Sequence, residues 1–119
     1  MIDQGIRNSL MKEYAIKEDN KGFIVENVVG IALTLNYKNV TYWREQIYEV
    51  DFVADGIPVE VKYQNIINEK DLRGLIKFLE RYKKNSGVVI TKDKFEENLI
   101  ENKKIRFIPL WMFLLDPRF

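Results

Sequence analysis

Cysteine and histidine are both missing from these 119 residues. Without cysteine there is no disulfide, no thiolate nucleophile and no Cys-type zinc site. Without histidine there is no Ser-His-Asp triad, no His-ligated metal and no histidine general base. Carboxylates, amines, hydroxyls and hard cations remain as chemical resources. Glycine (6) and proline (3) are scarce, and no linker, repeat or low-complexity stretch interrupts the chain. No apolar run approaches a membrane span and no signal peptide is visible, so the expected location is the cytoplasm, with no membrane partner. Charge of one sign is not in excess either. The net charge is +1, so any nucleic-acid surface has to come from local clustering.

What is present suits one compact domain. Hydrophobic residues make up 46% and charged residues 31%. Residues 1–21 read as an N-terminal extension, 22–109 as the core and 110–119 as a C-terminal cap. From Phe23 to Asn36 the segment FIVENVVGIALTLN is apolar almost all round at 100° per residue, which predicts a buried helix. Glu26 is the only charge between Lys21 and Lys38, on the sector of Gly30 and, more loosely, Asn27 and Thr34. A lone carboxylate on such a helix is costly unless it is paired or ligated. Strands are predicted at Val40–Glu45, Tyr48–Ala54, Ile57–Tyr63, Ser86–Thr91 and Ile105–Pro109. An amphipathic helix is predicted over 69–84, a short one over 95–102, and a helical turn at WMFLL (111–115). The order is a mixed sheet flanked by helices, an α/β fold.

Asp55-Gly56 is a strong two-residue hairpin signal. It pairs Ala54 with Ile57, Val53 with Pro58, Asp51 with Glu60 and Glu49 with Lys62. One face then carries Glu49, Asp51, Glu60 and Lys62; the other carries Val50, Phe52, Ala54, Val59, Val61 and Tyr63. Asp51 and Glu60 face each other as like charges. At about 5 Å and an effective dielectric of about 20, their repulsion is roughly 3 kcal/mol. Two readings follow. In one, the face is exposed, Glu49 bridges to Lys62 and the acid pair is tolerated. In the other, a hard divalent cation, Mg²⁺ or Mn²⁺, relieves the pair.

Asp51, eight residues, then Glu60-Val61-Lys62, after a helix bearing Glu26, resembles the PD-(D/E)XK nuclease superfamily. Its α-β-β-β-α-β restriction-endonuclease-like core matches the order read for residues 23–91. The motif's proline is absent, and Val50 precedes Asp51. The resemblance implies catalytic roles for Glu26, Asp51, Glu60 and Lys62. It also implies a metal held by Asp51, Glu60 and the Val61 carbonyl, with Glu26 direct or through water. DQGIR (3–7), GFIVENVV (22–29), PVEVKY (58–63), DLRGL (71–75) and IRFIPLWMFLL (105–115) also look like an uncharacterised C-terminal domain that follows an AAA-type ATPase module in archaeal and bacterial proteins. That likeness implies a covalently linked ATPase partner. No G-x-x-x-x-G-K-[ST] loop occurs here.

The expected function is a metal-dependent phosphodiesterase acting on DNA; the alternative is a nuclease-like binding or regulatory module serving its ATPase. Dimers are common among nucleases of this fold, which makes a homodimer a candidate assembly. Arg44, Gln64, Lys70, Arg73, Lys77 and Arg81 are the candidate nucleic-acid contacts. The last four, with Lys84, form a basic stripe opposite Leu72 and Leu79. The competing readings are a solvated face for the stripe and a polar strand end for Gln64.

Overall fold

The computed structural model describes residues 21–119, and residues 1–20, with the DQGIR segment, lie outside the description. Helix α1 (Lys21–Asn36) leads into strands β1 (Val40–Glu45), β2 (Tyr48–Ala54) and β3 (Ile57–Lys62). A 3-10 turn at Glu69–Leu72 opens helix α2 (Arg73–Arg81), followed by β4 (Ser86–Thr91), β5 (Glu96–Ile100), β6 (Lys103–Pro109) and helix α3 (Leu110–Leu115). The six strands form one mixed sheet in the order β1-β2-β3-β4-β6-β5. β3, β4 and β6 run parallel, and β1, β2 and β5 are antiparallel to their neighbours. The fold is α/β with helices on both faces, as the sequence predicts. No described helix is long and apolar enough to cross a membrane.

The β2–β3 hairpin closes as read from Asp55-Gly56. Asp55 (φ 47) and Gly56 (φ 85) both adopt positive φ, and Ala54 pairs with Ile57 and Val53 with Pro58. Asp55 does more than turn the chain. Its carboxylate accepts the Asn39 N–H at 2.8 Å and the Lys38 N–H at 3.3 Å, which ties the α1–β1 link to the hairpin tip.

Each face of the sheet has its own core. On one, Val25, Val29 and Leu33 of α1 and Phe113 of α3 pack against Ala54, Val59, Val61, Val88 and Ile90. On the other, Leu72, Leu75, Ile76, Phe78 and Leu79 pack against Val50, Val89, Ile105 and Phe107. Three expectations need correction here. α1 is not buried all round among the described residues: only Val25, Val29 and Leu33 are fully covered, and Leu35 is 80% exposed, because one side alone meets the sheet. The segment read as a helix at 95–102 is instead edge strand β5, paired with β6 through a turn at Glu101 (φ 50) and Asn102 (φ 67). Pairing with β6 overrides the helix preference of Glu and Leu. The 69–84 helix is shorter than read. Lys83 takes a left-handed φ of 54, its N–H donates to the Glu80 carbonyl, and the Lys84 N–H donates to the Leu79 carbonyl, a Schellman stop.

Candidate functional site

The acid pair sits where regular pairing of β2 with β3 stops. The backbone ladder runs from Ala54/Ile57 to Phe52/Val59 and no further. Beyond it, side chains take over. The Asp51 N–H donates to Glu60 Oε1 at 3.0 Å, and the Val61 N–H donates to Asp51 Oδ2 at 2.8 Å. The two carboxyls also hydrogen-bond one another. Each acid therefore satisfies an amide that the ladder has left open, and the two are locked together across the strands.

A bulge causes the break. Between the pairs Thr41/Val53 and Trp43/Val50, β1 contributes one residue, Tyr42, while β2 contributes two, Asp51 and Phe52. The extra residue turns the strand, as bulges do. It also overturns the reading of Val50 as a face-mate of Phe52 and Ala54. Val50 packs with Leu72, Leu75 and Val89 on the α2 side, whereas Phe52 and Ala54 belong to the α1 side. The expected square of charges is not formed either. Glu49 lies opposite Arg44 in β1, with their charges 3.9 Å apart, and no Glu49–Lys62 ion pair exists.

The exposed-face reading fails for Glu60, which is only 5% exposed beneath the α2 side of the sheet. Burial first, and the Asp51 charge second, push its carboxyl up to about 9. At neutral pH Glu60 is therefore protonated and donates to Asp51. Burial, then the charges of Asp51 and Glu49, also hold the Glu26 carboxyl above its usual range, while Lys62 pulls it down. Glu26, Asp51 and Lys62 thus share one field, although they come from α1, β2 and β3.

Two clefts meet at this point. One of about 260 Å³ is lined by Asp51, Glu60 and Lys62, with Lys70, Arg73 and Gly74 from the start of α2. The other, about 410 Å³, lies on the α1 side and includes Glu26, Gly30, Tyr42, Asp51 and Phe52. Asp51 lines both. Gly74 lets α2 approach: a Cβ there would collide with the Glu49 carbonyl oxygen. The DLRGL segment thus sets the rim of the first cleft against β2.

The remaining sequence candidates scatter. Arg81 bonds Glu45 at 3.3 Å, Lys77 stands 5.4 Å from the centre of the Tyr48 ring, and Arg44 pairs with Glu49. The Gln64 amide is held by the Ile66 carbonyl and the Asp71 carboxylate. Lys84 leaves the stripe, its ammonium lying near Gly56 at the hairpin tip. The basic residues beside the acid pair are Lys62, Lys70 and Arg73. The bulge was not found from sequence, because β2 contains no glycine to announce it.

For a metal, the donor set has hard oxygens and nothing softer. Asp51 and Glu60 each have one oxygen that accepts no backbone N–H. Among the described residues no group of three or more acidic side chains stands close enough to form a metal cage. The two carboxylates suit a cation that keeps several waters, as Mg²⁺ does, rather than a closed protein cage.

The Glu60 proton has a measurable consequence. Its pKa is raised on folding, so its contribution to stability is full below the unfolded carboxylate range and is lost as pH rises toward about 9. In chelator, the parent should lose melting temperature between about pH 5 and pH 9 relative to Glu60→Gln, which carries no titrating group there. Parallel melting curves for the two proteins across that range would refute a buried protonated Glu60.

Residues 21–113 match the family model described as Domain of unknown function (DUF4143). No curated protein and no solved structure matches the chain. The match runs from the start of α1 to Phe113 in α3 and encloses the bulged hairpin, both clefts and Gly74; the chain belongs to the DUF4143 family.

Proposed function

We propose that this chain is a metal-dependent phosphodiesterase domain acting on DNA, with the PD-(D/E)XK likeness extending to its chemistry. The observation that carries the reading is the interlocked Asp51–Glu60 pair beside Lys62, on adjacent strands and in the field of Glu26. A fold has little structural reason to press two acids together under a helix, since an apolar pair would be cheaper there.

Asp51, Glu60 and the Val61 carbonyl would hold Mg²⁺ or Mn²⁺, with Glu26 acting through water. The cation would supply an activated water and neutralise charge on the phosphate. Lys62 is half-buried and forms no ion pair within 4 Å among the described residues, so its ammonium is available to orient the attacking water or stabilise the phosphate in the transition state. Lys70 and Arg73 on the rim would hold the flanking phosphates. Lys77, Arg81 and Arg44, engaged with Tyr48, Glu45 and Glu49, would add more distant contacts. In this reading the domain works in the cytoplasm, joined to an ATPase module in a longer protein, and pairs with a second copy.

One observation favours the alternative of a nuclease-like binding or regulatory module: the lack of a three-carboxylate cage among the described residues. Incubating the chain with single-stranded, duplex and branched DNA in Mg²⁺, Mn²⁺ or chelator separates the two. The phosphodiesterase reading expects metal-dependent products that disappear in Lys62→Ala. Binding without cleavage under every condition selects the module instead.

A further inference from the structure

We infer that the cleft on the α1 side is a binding site for one unpaired nucleobase, placed next to the phosphate that occupies the cationic cleft. The inference rests on the proposed action on DNA and specifies which DNA: a strand with at least one nucleotide out of the stack.

The lining chemistry of the two clefts differs. The cleft beneath α2 carries Lys62, Lys70 and Arg73. Among the described residues the α1-side cleft carries no Lys or Arg; the charged ones that line it are Glu26 and Asp51. It therefore repels phosphate and accepts a neutral group, especially one with N–H donors on its edge. Its volume of about 410 Å³ falls within the roughly 300–1,000 Å³ of small-ligand sites.

Its walls suit a flat ring. Phe23, Phe52 and Tyr42 all contribute aromatic surface. Tyr42 is 75% exposed and, among the described residues, makes no ring contact and no hydrogen bond through its hydroxyl. Asn27 also lines the cleft, and its amide has no partner among the described residues. A large exposed ring, an unpartnered amide and two carboxylates in one lining can stack a base and address its edge.

Gly30 keeps the cleft open, since a Cβ there would stand 3.0 Å from the Phe52 ring. The bulge supplies the geometry, because it places Asp51 and Phe52 together opposite Tyr42. Asp51 is the shared wall, so a nucleotide whose phosphate meets Lys62 has its base within reach of Tyr42 only when that base has left its helix.

The test measures binding in chelator, where nothing is cut, and cleavage separately in Mn²⁺. The probes are a single-stranded oligonucleotide with one 2-aminopurine and the blunt duplex of the same sequence. The parent chain should bind the single strand about tenfold more tightly and quench the 2-aminopurine. Tyr42→Ala should lose most of that preference, on the scale of one stacked base. Tyr42→Phe should keep it, as should Leu35→Ala, which removes an exposed side chain that does not line the cleft. Equal binding of strand and duplex by the parent, or an unchanged preference in Tyr42→Ala, overturns the base site. A preference that depends on Tyr42 with no cleavage in any metal keeps the base site and removes the nuclease. Cleavage of duplex and single strand at equal rates, indifferent to Tyr42, does the opposite.

Discussion

Asp51→Asn is expected to abolish any nuclease activity by orders of magnitude while leaving the chelated protein as stable as its parent, or more so. In the proposed metal-dependent reading both hold together. The Asn amide oxygen can still accept the Val61 N–H, and its amide nitrogen can donate to Glu60. The Asp51 charge, second to burial among the causes that raise the Glu60 carboxyl, is gone, while burial still holds that carboxyl up and protonated. What is lost is one of the two carboxyl groups proposed to hold the metal. The parent should gain melting temperature on adding millimolar Mn²⁺, because a ligand that binds only the folded state stabilises it by mass action. The Asn variant should gain much less. If the pair serves structure alone, the pattern reverses: the variant melts lower in chelator, and metal changes neither protein. Thermal melts of both proteins in both conditions decide it.

Gly74→Ala should cost the fold more than a methyl group added to any other described glycine. The new Cβ would land on the Glu49 carbonyl oxygen, and a strand backbone cannot swing away as a side chain can. Relief requires α2 to lift from β2 and open the cluster of Val50, Leu75 and Phe78. Overpacking of this kind costs about 2–4 kcal/mol. For a domain of this size that corresponds to a fall in melting temperature of about 10–20 °C. Gly22→Ala is the control, because among the described residues nothing lies within 4 Å of its added Cβ. A drop of only a few degrees in Gly74→Ala would mean that α2 is not seated on Glu49.

The sequence was most legible where local chemistry and the sheet agree. Asp55-Gly56 specified a turn that only positive φ satisfies, and the first pairs of the hairpin followed from it. The lone carboxylate of α1 pointed to a site because Glu26 had no partner within its own helix. Legibility failed where a neighbouring strand decides the outcome. Val50 changes sides because β1 offers one residue against two in β2, and nothing within Tyr48–Ala54 records that mismatch. β5 has the composition of a helix and becomes a strand because β6 exposes an edge beside it. For Glu60 the sequence leaves both an exposed face and a metal site open, because the helix that covers it comes later in the chain.

The clasp between Asp51 and Glu60 also bears on how this chain can vary in length. The two acids meet only while the segment between them keeps its residue count, since one residue more or fewer would aim one of them at the opposite side of the sheet. Insertions are far cheaper at the turns near Gln46 and Asn102, where positive φ already marks a reversal outside the segment that joins the two acids. Length change in relatives that keep the clasp should therefore collect at those turns and avoid residues 52–59. A relative with an indel inside that window has either lost the acid pair or rebuilt it from other positions.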